Sequence, residues 1–311
     1  MEKFKQIKKN HHYVWSYYLK SWADQKNEAF YISLKGKIAK DSVKGLAKDI
    51  DFYKINSLNE EDVSFIKKIS SNSSIYLQDI HLKQLNYFQQ LLNIERLKVN
   101  PLYFNEQSKL VQIVKSNVLE NTYSIIEKLA LHVISELING NSKILDDKNN
   151  LTAFLKYIGH QFTRTKAFKE KCLAAIKEDD RLYLLCEKNW WFISYMLGIN
   201  LGHAFYQTCM RDKHIFIINN TSVPFITSDS PVINIHPSLD KLEEGTAPEY
   251  MDVYFPLSPK YAYMINNSDT YDGLQDIVQD DDVIKLNEYI YKKSYKTVFA
   301  NSDEILNLLR K

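Results

Sequence analysis

Hydrophobic spacing divides the chain into three stretches of different character. Near the N-terminus, "FYISL" and "IAKDSV" flank the turn signal "KGK", which predicts a short hairpin over residues 28–43. "DIDFYKI", residues 49–55, reads as a strand-like or turn segment closing that unit. From about residue 59 to residue 138 the pattern is helical. Ser57 or Asn59 offers an N-cap ahead of several acids. Leu110, Ile113, Val114, Val118, Ile125, Leu129, Val133 and Leu137 recur every three to four residues and predict one long amphipathic helix. Residues 139–150 are small and polar and predict a loop. "LTAFLKYIGHQFTRTKAFKEKCLAAI" predicts a further helix, and the apolar run Trp190–Tyr206 another, buried in the core.

The spacing then changes. "HIFIIN", "PFITS", "PVINI", "YMDVYFPLS" and "KYAYMIN" are short, rich in β-branched and aromatic residues, and separated by prolines. They predict four or five strands of an antiparallel sheet. "DDDVIKLNEYIYKKS" predicts a helix, "YKTVFA" a strand, and the residues from Ser302 a last short helix. Helices followed by strands, without βαβ alternation, imply an α+β fold. The expected organisation is one domain over 1–311: an N-terminal hairpin unit at 1–56, a helical region at 57–212 and a sheet-rich region at 213–311.

Composition narrows the field only slightly. Of 311 residues, 45% are hydrophobic and 25% charged, which is ordinary for a globular chain. A net charge of +2 gives little whole-molecule attraction to nucleic acid or membrane. The basic start "MEKFKQIKKN" precedes no apolar run, so it is not a signal peptide, and no transmembrane span is expected. Cys172, Cys186 and Cys209 are scattered and odd in number, which points to reduced packing thiols and a cytoplasmic location. No GxxxxGK[ST] or GxGxxG loop is present, which argues against ATPase and dinucleotide-binding readings.

Several blocks look alike to a known family. "HHYVWSYYLKSWAD" resembles the HHYVPxxYLxxFA opening of the bacterial DUF4238 family, whose reaction is not established. "DIDFYKI" resembles its DFY block, and Glu120 in "NVLENTYSIIEKL" its helical glutamate. "FLKYIGHQFTRTKAF" is similar to its QxxRTPxF helix, and "PFITSDSPVI" to its FxTSDNPV block. "FPLSPKYAYMI" and "LNEYIYKKSYKTVFA" resemble its PLSP and final helix–strand blocks. The matches keep their order and span nearly the whole chain. Three positions depart: Trp15 and Lys166 replace prolines, and Ser230 a common Asn.

The matching blocks hold the candidate site: His11, His12, Glu120, Gln161, Arg164, Thr165, Ser228 and Asp229. Adjacent histidines on an extended segment point to opposite sides, so one is expected in a pocket and the other on backbone. Gln161, Arg164 and Thr165, at i, i+3 and i+4, are expected on one helix face. Arg164 suits phosphate, or else a buried pair with Glu120. Asp229 follows a strand, where it serves as a metal ligand or general base, or else bonds backbone N–H groups in a turn. Tyr13, Trp15, Tyr17, Tyr18 and Trp22 suit base stacking or a core, and Lys3, Lys5, Lys8 and Lys9 suit phosphate contacts or a solvated tail.

Three functions are compatible with this set. In the first, His11 or His12, Glu120 and Asp229 converge, with Glu120 and Asp229 holding Mg2+ or Mn2+ in a nuclease that serves bacterial phage defence. In the second, the same cluster binds a nucleotide or other small anion without chemistry. In the third, the blocks only join the three regions of the fold.

Overall fold

A computed structural model describes residues 6–310 apart from 34, 99, 244, 245, 276 and 277. Lys3 and Lys5 lie outside the described residues. The fold is α+β, as the pattern of elements implies.

The N-terminal unit begins with strand β1 (Asn10–His12) and the single turn α1 (Ser16–Leu19). The predicted hairpin is present as β2 (Glu28–Ile32) and β3 (Ile38–Ser42), paired from Glu28–Ser42 to Ile32–Ile38. β4 (Lys48–Ile50) pairs antiparallel with β1, so His11 faces Asp49 and His12 faces Lys48 across the ladder.

The helical region holds α2 (Glu60–Ser70), α3 (Ile75–Leu92), α4 (Phe104–Ile138), α5 (Lys148–Thr163), α6 (Lys166–Ala174) and α7 (Asp180–Thr208). Asn59 is the N-cap of α2, accepting from the Asp62 N–H while Asp62 accepts from the Asn59 N–H. The expected loop at 139–150 is shorter than predicted. A 3-10 turn occupies Ser142–Asp146, and Asp147 caps α5 by accepting from the Asn149 and Asn150 N–H groups.

Two expectations for the helices are corrected. The buried stripe of α4 runs through Leu119, Tyr123, Ile126, Ala130, Val133, Ile134 and Leu137, whereas Ile125 and Leu129 are 59% and 58% exposed. The single helix expected over 151–176 breaks at Arg164. Thr165 turns the chain and caps α6 by accepting from the Phe168 N–H at 3.3 Å. Close approach of α5 to α7 rests on glycines: a Cβ on Gly159 would lie 2.5 Å from the Gly198 carbonyl oxygen. Among the described residues, no helix is long and apolar enough to cross a membrane.

The remaining strands are β5 (Lys213–Ile218), β6 (Thr227–Ser228), β7 (Ile233–Asn234), β8 (Val253–Pro256), β9 (Tyr261–Asn266) and β10 (Val298–Ala300), with α8 (Asp280–Lys293) and α9 (Asp303–Leu308) around the last. They do not form one sheet. One antiparallel sheet has the order β5-β9-β8-β7. β6 instead joins β10 and the N-terminal hairpin in the order β3-β2-β10-β6. The hairpin is therefore not a separate unit. It supplies half of a sheet that the C-terminal strand completes. Non-local pairing of this kind leaves no trace in local hydrophobic spacing.

Candidate functional site

Two adjacent histidines do different things. His11 is fully buried. Its Nδ1 accepts from the Tyr53 N–H at 2.8 Å, and its Nε2 donates to the Lys8 carbonyl at 2.9 Å. Both ring nitrogens are consumed by backbone. Burial lowers its pKa, so the ring is neutral. His11 is thus the residue that pins β1 to the turn after β4.

His12 points away from it, as the alternation of an extended strand requires. Its Nε2 donates to the Lys44 carbonyl at 3.2 Å, which leaves Nδ1 as the acceptor nitrogen. No partner for that nitrogen exists among the described residues. Burial is the main cause that lowers its pKa. The Lys44 bond opposes it, while Lys48 and Arg164 add to the lowering.

Arg164 ends α5 inside the protein, 2% exposed. Its Nη2 donates to Glu127 Oε1 at 2.8 Å. Nε and Nη2 both donate to Gln161 Oε1, at 3.2 and 2.5 Å. Gln161 Nε2 in turn donates to the Tyr13 carbonyl at 3.0 Å, tying α5 to the segment after His12. The guanidinium carbon lies 5.2 Å from the centre of the Tyr123 ring. Hydroxyls of the buried Tyr123 and Tyr157 have no hydrogen-bond partner among the described residues.

Glu120 and Glu127 are two helical turns apart on α4. The ion-pair partner of Arg164 is Glu127, not the expected Glu120. Desolvation pushes Glu120 up to about 7, helped by the neighbouring Glu127 and opposed by Arg164 and Lys8. Glu127 is also raised by burial, with Arg164 opposing. Glu127 was legible in principle: an acid seven residues after Glu120 shares its face, and that face carries the core.

The third block behaves otherwise. Asp229 Oδ1 accepts from the Tyr295 N–H at 2.8 Å, and Oδ2 from the Lys296 and Thr297 N–H groups at 2.8 and 3.1 Å. These donors follow α8, so the carboxylate holds the turn leading into β10. Desolvation pushes Asp229 up to about 6 against the pull of those N–H groups. Ser228 is buried in β6. Its Oγ accepts from the Ser230 N–H at 3.1 Å, and its backbone pairs with Val298. Thr165 is a helix cap. Gln161, Arg164 and Thr165 therefore do not form one helix face.

A metal fits these residues poorly. His11 has no free nitrogen, and both Asp229 oxygens are occupied by peptide N–H groups. No group of three His, Cys, Asp or Glu side chains suited to a metal occurs among the described residues.

The aromatic opening builds core. The Tyr18 hydroxyl donates to the Pro256 carbonyl at 2.6 Å, and Trp22 Nε1 to the Phe225 carbonyl at 2.9 Å. Two surface cavities, of about 250 and 330 Å³, are lined by Thr270–Leu286 residues and by α2 with Gln89 and Arg96, away from the candidate residues.

Searches of curated proteins and of solved structures find no match. A family model described as "Protein of unknown function (DUF4238)" matches residues 10–189 and 193–304. The blocks that tie β1 to α5, and β6 to β10, lie within that match, and the chain belongs to the DUF4238 family.

Proposed function

We propose that this protein hydrolyses phosphodiester bonds by acid–base chemistry, with His12 as base, Glu120 as acid and Arg164 as the fixed cation. One observation carries this reading. Around a single guanidinium, the environment drives a histidine toward its neutral form and a glutamate toward its protonated form at neutral pH. Neutral His12 accepts a proton at Nδ1 from the attacking hydroxyl or water. Protonated Glu120 gives one to the departing oxygen. Arg164 lies within electrostatic reach of both and offers positive charge where the phosphorane gains negative charge. Each proton transfer contributes about 10²–10⁴-fold. The nuclease reading thus survives here without the Mg2+ or Mn2+ pair at Glu120 and Asp229, because the donor set fits poorly. A role in phage defence is part of the same proposal and rests on the family's bacterial character alone.

The test is incubation of purified protein with end-labelled RNA and DNA in EDTA and, separately, in Mg2+ and Mn2+. Cleavage in EDTA that His12→Ala and Glu120→Gln abolish supports the reading. Intact nucleic acid in every tube overturns it.

A second reading is favoured by the pinned Arg164 and by the Tyr123 and Tyr157 hydroxyls, unpartnered among the described residues: the cluster binds a nucleotide without chemistry. Thermal stabilisation by nucleotides without turnover supports that alternative.

A further inference from the structure

We infer that the face around β1 and β4 is a track for the phosphate backbone of a single-stranded nucleic acid. This inference rests on the acid–base reading above and names its substrate class.

The observation is a group of lysines on and beside the β1–β4 ribbon that carries His12. Lys48 stands directly opposite His12 in the β1–β4 ladder, and Lys44 presents its carbonyl to the His12 ring. Lys166 lies over the rings of Tyr13 and Phe52, at 5.4 and 5.9 Å. Lys296 sits 4.8 Å from the Tyr295 ring, and its charge reaches Asp49. Burial raises the Tyr13 phenol, and Asp229, Asp49 and Tyr295 are close enough to add to the shift. Residues 13, 49, 52, 166 and 295–296 thus form one cluster on the ribbon whose next ladder pair is His12 and Lys48.

The acids on this face are already committed. Asp49 is ion-paired to Lys166, Asp51 to Lys54 at 3.3 Å, and Asp229 accepts from peptide N–H groups. Lys44, Lys48 and Lys296 have no carboxylate partner among the described residues. The surplus is positive, although the whole chain carries only +2.

Lysines alone suit any polyanion. Here they are interleaved with the half-buried rings of Phe52 and Tyr295 and the edge of Tyr13. Aromatic faces between cations suit unpaired bases on a phosphate backbone, whereas a duplex hides its bases from such rings.

The test uses the full chain carrying Glu120→Gln, so that binding is read without cleavage. A fluorescein-labelled 12-nucleotide RNA, the same DNA sequence, and its duplex are titrated by anisotropy at several salt concentrations. The expected result is tighter binding of the single strands than of the duplex. Adding Lys48→Glu and Lys296→Glu weakens it at least about 10-fold in low salt and flattens the salt dependence by about 1.4 in log–log slope, for two lost phosphate contacts. The control carries Lys98→Glu and Lys109→Glu, an equal charge change at lysines outside this cluster, and retains binding. If both double variants bind alike, or the duplex binds best, the inference is overturned. Cleavage of bis(p-nitrophenyl) phosphate by wild type without 12-mer binding overturns it too, but leaves the acid–base reading standing. Lysine-dependent 12-mer binding by a wild type that cleaves nothing supports the track and removes the acid–base reading.

Discussion

Arg164 Nη2 donates to Glu127 Oε1 across 2.8 Å in a region where the arginine is only 2% exposed. A buried ion pair of this kind costs more when halved than when absent, because the survivor keeps its charge without compensation. Glu127→Gln or Arg164→Ala is expected to lower unfolding free energy by about 3–5 kcal/mol. The double variant Glu127→Leu/Arg164→Met is expected to recover much of that. Urea denaturation of all three proteins checks the ordering.

The two histidines predict opposite phenotypes. His11→Ala strips the partners from the buried Tyr53 N–H and Lys8 carbonyl, and is expected to cost about 1–3 kcal/mol. His12→Ala loses one 3.2 Å bond at the molecular surface, and its cost is expected below about 1 kcal/mol. Cleavage is expected to vanish in His12→Ala at temperatures where both variants remain folded. Equal stability losses in denaturant melts of the two proteins contradict this assignment.

Glu120 gives stability a pH dependence with a definite sign. Its folded pKa, about 7, lies above its ordinary value of 4.5, so its contribution is complete below 4.5 and is lost as pH rises through 7. Asp229, raised from 3.8 to about 6, acts in the same sense. The neutral buried His11 acts oppositely, losing stability as pH falls below 6.5. Comparison with Glu120→Gln removes the shared contributions. The stability of wild type minus that of Glu120→Gln is expected to fall by on the order of 2 kcal/mol between pH 4.5 and 7. A difference that stays flat across that range contradicts the burial of Glu120.

Asp229 predicts a structural rather than a metal-linked defect. Asp229→Ala leaves the Tyr295, Lys296 and Thr297 N–H groups without their acceptor, at a cost on the order of 3 kcal/mol. Hydrogen exchange is expected to accelerate at Val298 and Phe299, in the β6–β10 ladder. Unchanged protection there contradicts the anchoring role.

Much of the fold was legible because its signals are local. The β2–β3 hairpin, the Asn59 cap, α7 and the α8–β10–α9 ending all follow from spacing and turn chemistry within a few residues. What escaped was non-local. Pairing of β6 with β10 joins residues seventy positions apart, and the partner of Arg164 had two candidates on one helix face. The break at Arg164 was hidden because Thr165, a good N-cap, sits inside an unbroken helical pattern. Residue type alone suggested a site at every polar block. Only hydrogen-bond partners separate His12 and Glu120 from His11, Thr165, Ser228 and Asp229, whose polar atoms serve the backbone.

The pH profile of single-turnover RNA cleavage in EDTA tests the central claim most directly. With His12 as base and Glu120 as acid, the wild-type rate rises as His12 loses its proton below pH 6.5 and falls above about pH 7 as Glu120 loses its own. Glu120→Gln is expected to be slower by at least about 10²-fold and to lose the falling limb, with an unchanged fold by circular dichroism. An RNA left intact by wild type at every pH, or a Glu120→Gln profile superimposable on that of wild type, contradicts it.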